Sequence, residues 1–208
     1  HDIMNELHKR GYSGIGSDIA PSYSGVQDGS AVCSMPYVAM DITNAHMVRD
    51  VLTQVKPDVV IHCAAWTAVD LAEDEDKVEK VRMINATGTA NIAAVCKKLD
   101  CKMIYISTDY VFDGQGDTPW EPDCKAYAPL NVYGETKLGG ERAVSELVER
   151  FFIVRIAWVF GLNGNNFIKT MLKLSKTHDH LSVVSDQVGT PTYTLDLARL
   201  VVDMILTD

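Results

Sequence analysis

Lys102-Met103-Ile104-Tyr105-Ile106 is the stretch on which the fold turns. An almost unbroken apolar run of this length reads as a strand buried on both faces, because a strand with one wet face would alternate apolar and polar residues. On either side lie segments of helical period, 73–99 and 130–149. The same grammar repeats outward. Residues 58–63 (D-V-V-I-H-C), 37–40, 151–156 (F-F-I-V-R-I) and 181–184 read as further strands, with 13–17 as a weaker one. Segments 2–10, 45–55, 166–177 and 194–206 read as helices. Strands alternating with helices imply parallel pairing through right-handed crossovers. The expected class is therefore α/β, a doubly wound parallel sheet of Rossmann-like form.

Local signals mark the joints. Gly11 follows the basic pair Lys9-Arg10, as a glycine follows the last turn of a helix. Asn44 suits the N-cap of the helix after it, and Pro57 separates that helix from the strand at Asp58. The Ser- and Gly-rich stretch 21–34 and the segment 114–128 read as long surface loops, which in such sheets usually carry function. Four carboxylates in a row, Glu73 to Asp76, read as the solvated start of a helix, where the dipole favours negative charge.

The composition narrows the function. With 208 residues, 47% of them hydrophobic, the chain can fill one domain core or slightly more. Nineteen Lys and Arg against 28 Asp and Glu give a net charge of −9, which argues against binding nucleic acid through its phosphates. No run of about 18 apolar residues is present, and no secretory leader opens the sequence, so a cytoplasmic protein without a membrane partner is expected. The five cysteines are odd in number and form no C-x-x-C pair, so neither a disulfide framework nor a metal site is expected.

The chemistry concentrates in two places. In Tyr133-Gly134-Glu135-Thr136-Lys137, residues i and i+4 of a helix share a face, so a phenol and an ammonium point into the same space. A nearby cation favours the phenolate and makes the tyrosine a usable proton donor or acceptor. Y-x-x-x-K alone is common by chance. Twenty-five positions earlier, Ser107-Thr108 directly follows the strand at 102–106. Ligands of open parallel sheets bind beyond the carboxyl ends of the strands, where a hydroxyl can hold a carbonyl oxygen. Together the two pieces are far more specific than either alone.

These residues resemble the Ser/Thr–Tyr–Lys triad of the extended short-chain dehydrogenases/reductases, which act on nucleotide sugars. The finer likeness is to the dTDP-4-dehydrorhamnose reductases. It is carried by S-T-D-Y-V-F-D-G (107–114), P-L-N-V-Y-G-E-T-K-L-G-G-E (129–141), R-I-A-W-V-F-G (155–161) and Q-V-G-T-P-T-Y-T-L-D-L-A (187–198), with H-C-A-A-W-T-A-V-D-L-A-E (62–73) similar to that family's turn beside the cofactor. The resemblance implies reduction of a dTDP-4-keto sugar by NADPH or NADH. Tyr133 would give the proton, Lys137 would bind the nicotinamide ribose and tune Tyr133, and Thr108 would hold the keto oxygen. Asp41 and Ile42 would flank the adenine, and Ala64, Ala65 and Thr67 would line the cofactor. Asp109, Tyr110 and Trp158 would contact the sugar nucleotide, with Gln187, Thr190 and Pro191 nearby. A homodimer is the assembly this resemblance allows.

Asp18, near the end of the second strand of such a fold, reads equally as a carboxylate for the adenosine ribose or as a turn residue before Ala20-Pro21. The family's opening strand and its glycine-rich turn have no counterpart in the sequence. Gly11, Gly14 and Gly16 follow a helix instead of preceding one. The family's small C-terminal lobe is also missing for the most part. The expectation is thus a cofactor-binding domain over 1–208 that is a piece of a longer protein and includes part of the substrate region. Two other functions stay open: a related nucleotide-sugar reductase or epimerase, and a non-catalytic subunit like the regulatory subunit of methionine adenosyltransferase.

Overall fold

A computed structural model describes residues 1–207. In chain order the elements are α1 (Asp2–Lys9), β1 (Gly16–Asp18), β2 (Tyr37–Ala39), α2 (Ala45–Val55), β3 (Val59–His62), α3 (Val78–Arg82), α4 (Thr89–Leu99), β4 (Lys102–Thr108), α5 (Val132–Leu147), β5 (Phe151–Ile156), β6 (Val159–Phe160), α6 (Phe167–Leu174), β7 (Thr192–Tyr193) and α7 (Thr194–Asp203). They form two compact units. The larger comprises Ser17–Tyr23 and Tyr37–Arg155, and the smaller His1–Gly16, Ser24–Pro36 and Ile156–Thr207.

The strands pair as β1–β2, β3–β4–β5 and β6–β7. β3 runs parallel to β4 in the register Val59–Lys102 to His62–Tyr105. β4 is the middle strand of its sheet, and six of its seven residues are buried. This is the environment its apolar run demands. Strand period two puts Met103, Tyr105 and Ser107 on one face. There Met103 and Tyr105 join Ile92, Ala93 and Cys96 of α4, Val48 and Leu52 of α2, and Val144 of α5 in the main core. Each fully buried aliphatic side chain in that layer contributes about 1.5–3 kcal/mol.

The helix ends follow the local chemistry. The Asn44 side chain accepts from the N–H groups of His46 and Met47, both at 3.1 Å. Gly11 closes α1 in the left-handed region (φ +79°), with Tyr12 N–H bonded to Leu7 C=O at 2.9 Å. Among the described residues no helix is long and apolar enough to cross a membrane.

Three expectations need correction. Residues 181–184 form no strand. The run Leu-Ser-Val-Val has β-branched residues but makes no ladder, and its apolar side chains are exposed. The weak strand at 13–17 lies instead at Gly16–Asp18. The single helix expected over 73–99 begins only at Val78 and is widened at Met83–Gly88 into a π-helical turn before α4. The acidic run therefore precedes the helix, and Glu73 caps a different one. Its carboxylate accepts the Val132 N–H at the start of α5 (2.7 Å).

Candidate active site

Strand β4 ends where helix α5 begins to cover it. Thr108 is the last residue of β4, and its hydroxyl caps the 3₁₀ turn Asp109–Val111 by accepting the Tyr110 N–H at 3.2 Å. The same hydroxyl donates to a carboxylate oxygen of Asp109 at 3.1 Å, and it lies near enough to the Tyr133 phenol to favour the phenolate. Asn131 caps α5 by accepting the Gly134 N–H (2.7 Å), which fixes the first turn carrying Tyr133. Gly134 is required there, because a β-carbon would overlap the Tyr110 carbonyl oxygen. The close approach leaves the Tyr110 and Tyr133 rings edge to face, 5.8 Å apart.

Lys137 sits one turn along the same helix face and is buried. Its ammonium donates to the Ile106 carbonyl at 2.7 Å and lies 4.1 Å from the centre of the Tyr105 ring. Burial brings its pKa down to about 8, with the Cys63 thiol and Glu141 acting in the opposite direction. Burial likewise holds the Tyr133 phenol above the usual range, and the nearby Thr108 hydroxyl opposes that shift. The structure therefore places Thr108 beside Tyr133, while the Lys137 ammonium is directed at the strand backbone.

A second turn along is Glu141, a buried carboxylate. It accepts from the Ser107 hydroxyl (2.6 Å) and from two nitrogens of Arg155 (2.9 and 2.7 Å). Arg155 also donates to the Tyr127 hydroxyl (3.0 Å) and lies over the rings of Phe112 and Tyr127. On the other side of α5 stands Asn85, in the π-helical turn. It accepts the Trp66 N–H (2.8 Å) and donates to the Trp66 carbonyl (3.2 Å) and the Thr136 hydroxyl (3.1 Å). The loop after β3 is thereby tied to the helix bearing Tyr133. His62, at the end of β3, is bonded to the Thr89 hydroxyl (3.0 Å), and burial lowers its pKa to about 3.

The residues expected to hold a dinucleotide lie at strand ends of the larger unit. Ala64 and Thr67 are exposed and Ala65 half-buried on the loop after β3. Asp41 follows β2, and its carboxylate accepts from the Thr43 N–H (2.9 Å) and hydroxyl (2.7 Å). Ile42 packs on Gly88, where a β-carbon would come within 2.7 Å of it. Asp18 is exposed at the end of β1, and the Ala20 N–H lies 3.4 Å from its carboxylate. An exposed carboxylate at Asp18 suited to ribose hydroxyls, the small residues Ala64 and Ala65 and the Lys137 ammonium form a donor and acceptor set that fits a nicotinamide dinucleotide. Asp109 and Tyr110 are exposed beside Thr108.

Trp158, Gln187 and Thr190 belong to the smaller unit and are exposed. Trp158 has a left-handed backbone (φ +46°), a rare state for a bulky residue. Its carbonyl accepts the Thr192 N–H (3.3 Å), and its ring packs so closely on Gly189 that a β-carbon there would sit 2.9 Å away.

The sequence reading passed over Ser107 as a partner of Glu141, and it passed over Glu141, Arg155 and Asn85 altogether. Glu141 was findable, because it continues the i, i+4 series from Tyr133 and Lys137. Arg155 also had a signal, as a lone charge inside the run F-F-I-V-R-I. Asn85 had none, because its role depends on the π-helical turn.

The family described as the RmlD substrate binding domain matches residues 11–208. A dTDP-4-dehydrorhamnose reductase of Escherichia coli (strain K12) is 47% identical over 153 residues, covering 73% of this chain and 50% of the relative. The chain thus spans about half the length of that relative. Among solved structures, a dTDP-4-dehydrorhamnose reductase from Clostridium acetobutylicum superposes with a TM-score of 0.76 at 45% identity, over 83% of this chain and 62% of the other. One from Bacillus anthracis, in complex with NADP, gives a TM-score of 0.78 at 41% identity, over 84% and 63%.

Proposed function

The chain belongs to the RmlD substrate binding domain family, and from that premise we propose that it carries the reducing centre of a dTDP-4-dehydrorhamnose reductase. In this reading the substrate is dTDP-4-dehydro-L-rhamnose and the product dTDP-L-rhamnose. The observation that carries the proposal is the placement of Thr108, at the carboxyl end of β4, beside Tyr133 in the first turn of α5. Two hydroxyls so placed can both address one carbonyl oxygen. NADPH or NADH, when bound, supplies the hydride for the keto carbon. Asp18 and Asp41 would hold the adenosine side, with Ile42 against the base. Ala64, Ala65 and Thr67 would line the dinucleotide, and Lys137 would bind its nicotinamide ribose.

The remaining chemistry belongs to the chain. Tyr133 gives its phenolic proton to the 4-keto oxygen as that oxygen gains charge. Burial keeps the phenol protonated until then. Thr108 orients the same oxygen, and the positive charge of Lys137 in a buried setting favours the phenolate left behind. Asp109 and Tyr110, exposed beside Thr108, would contact the sugar nucleotide.

The full-length protein should consume NADPH or NADH only when the 4-keto sugar nucleotide is added. Tyr133→Phe should lower turnover by about 10²–10⁴-fold, the usual contribution of a positioned proton donor, without changing the melting temperature. Full turnover in that variant would remove Tyr133 from the role. Conversion of a sugar nucleotide with no net cofactor consumption would mark an epimerase instead.

A further inference from the structure

Three consecutive residues of β4 meet three successive turns of α5. The Ile106 carbonyl accepts from Lys137, the Ser107 hydroxyl donates to Glu141, and the Thr108 hydroxyl stands beside the Tyr133 phenol. Tyr133, Lys137 and Glu141 are spaced by four, so they form one stripe along the helix. We propose that Glu141 is a positioning residue for this centre: through Ser107 it fixes how far α5 is advanced along β4, and thereby where Tyr133 stands against Thr108.

Packing alone does not call for this arrangement. A buried ion pair is often no more stable than apolar residues of the same volume, so Glu141 and Arg155 are not explained by stability. What the pair adds is direction. Arg155 engages both carboxylate oxygens of Glu141, at 2.9 and 2.7 Å, and so holds that side chain in one orientation. One of those oxygens also takes the Ser107 hydroxyl at 2.6 Å. That short bond joins the helix to the residue immediately before Thr108. A helix advances about 1.5 Å per residue, and misplacement of a reacting group by about 1 Å can cost 10²-fold in rate. A slip of α5 by less than one residue is therefore enough to part the two hydroxyls.

The inference rests on Tyr133 being the proton donor, so its test has a readout that needs no substrate. In the full-length protein, the Tyr133 ring is labelled with ¹³C, assigned by its absence in Tyr133→Phe, and titrated with alkali. Ser107→Ala removes one hydroxyl and leaves the Glu141–Arg155 pair intact. The expected result is an upward shift of the Tyr133 midpoint, because the Thr108 hydroxyl that opposes the effect of burial moves away from the phenol. A fall in kcat of about 10–100-fold with KM within about twofold should accompany it. Ser107→Thr, which restores a hydroxyl, should recover both. If Ser107→Ala does not fold, Glu141→Gln is read in the same way and should show the same two changes in smaller measure. An unchanged Tyr133 midpoint in a folded variant overturns the proposal. If the parent protein reduces no keto sugar, the proposed activity fails, while the titration still decides the role of Glu141.

Discussion

Arg155→Met should destabilise the protein by about 3–5 kcal/mol near neutral pH, and the cost should come from the residue that remains. Glu141 is only 3% exposed. Without the guanidinium it keeps one hydrogen bond, from Ser107, and the more distant charge of Lys137. Removing one partner of a buried pair typically costs about this amount, because the other charge stays desolvated and uncompensated. The reverse substitution, Glu141→Gln, should cost less, about 1–3 kcal/mol, since the Arg155 side chain is 18% exposed and can reach water. The double variant Glu141→Leu with Arg155→Met should be more stable than Arg155→Met alone, with a coupling of about 2 kcal/mol. Urea denaturation followed by circular dichroism measures all three. A cost below about 1 kcal/mol would refute the account of a buried, dependent pair.

Two further outcomes are expected. His62 is held neutral with a pKa of about 3, while the unfolded chain takes up that proton near the ordinary histidine value. Stability should then fall as the pH drops below about 6.5, with a slope of about 1.4 kcal/mol per pH unit from this one group, and His62→Phe should remove that slope. An identical pH profile for the variant would show that His62 is not buried neutral. Gly134→Ala should cost about 1–3 kcal/mol and most of the turnover, because its methyl group meets the Tyr110 backbone, which cannot yield as a side-chain end can. Gly139→Ala, on the same helix, meets only the Ala86 β-carbon at 3.0 Å and should be nearly neutral in melting temperature and rate.

The parts of this molecule that sequence disclosed are those set by short-range rules. The apolar run at 102–106 could only be a central strand, and it is. Asn44 and Gly11 marked helix ends because caps depend on a few neighbouring residues. The run at 181–184 misled for the complementary reason: β-branched composition describes what a strand would look like, whereas a ladder needs a partner that no local pattern reveals. The helix over 73–99 concealed its π-helical turn because one extra residue in a turn leaves hydrophobic period almost unchanged. That Thr108 ends a strand and Tyr133 opens a helix was legible from two motifs. The direction of the Lys137 ammonium, towards the Ile106 carbonyl, was not, because it depends on the depth at which α5 lies on β4.

That depth is set by polar groups more than by apolar ones. Tyr105, Val144 and their neighbours exclude water between β4 and α5, but hydrophobic contact is non-directional and would tolerate a helix displaced by a fraction of a turn. Buried hydrogen bonds do not tolerate it, since each one lost leaves a desolvated group at about 1–3 kcal/mol. Between Asn85 and Glu141 such groups recur along both sides of α5: Asn85 on Thr136, Lys137 on Ile106, Ser107 on Glu141. Close contact at Gly140, where a β-carbon would overlap the Tyr105 hydroxyl and approach the Asn85 carbonyl, removes the slack that a larger residue would impose. A helix fixed at so many points has one position on its strand, and a tyrosine in its first turn has one position relative to the hydroxyl at the strand's end.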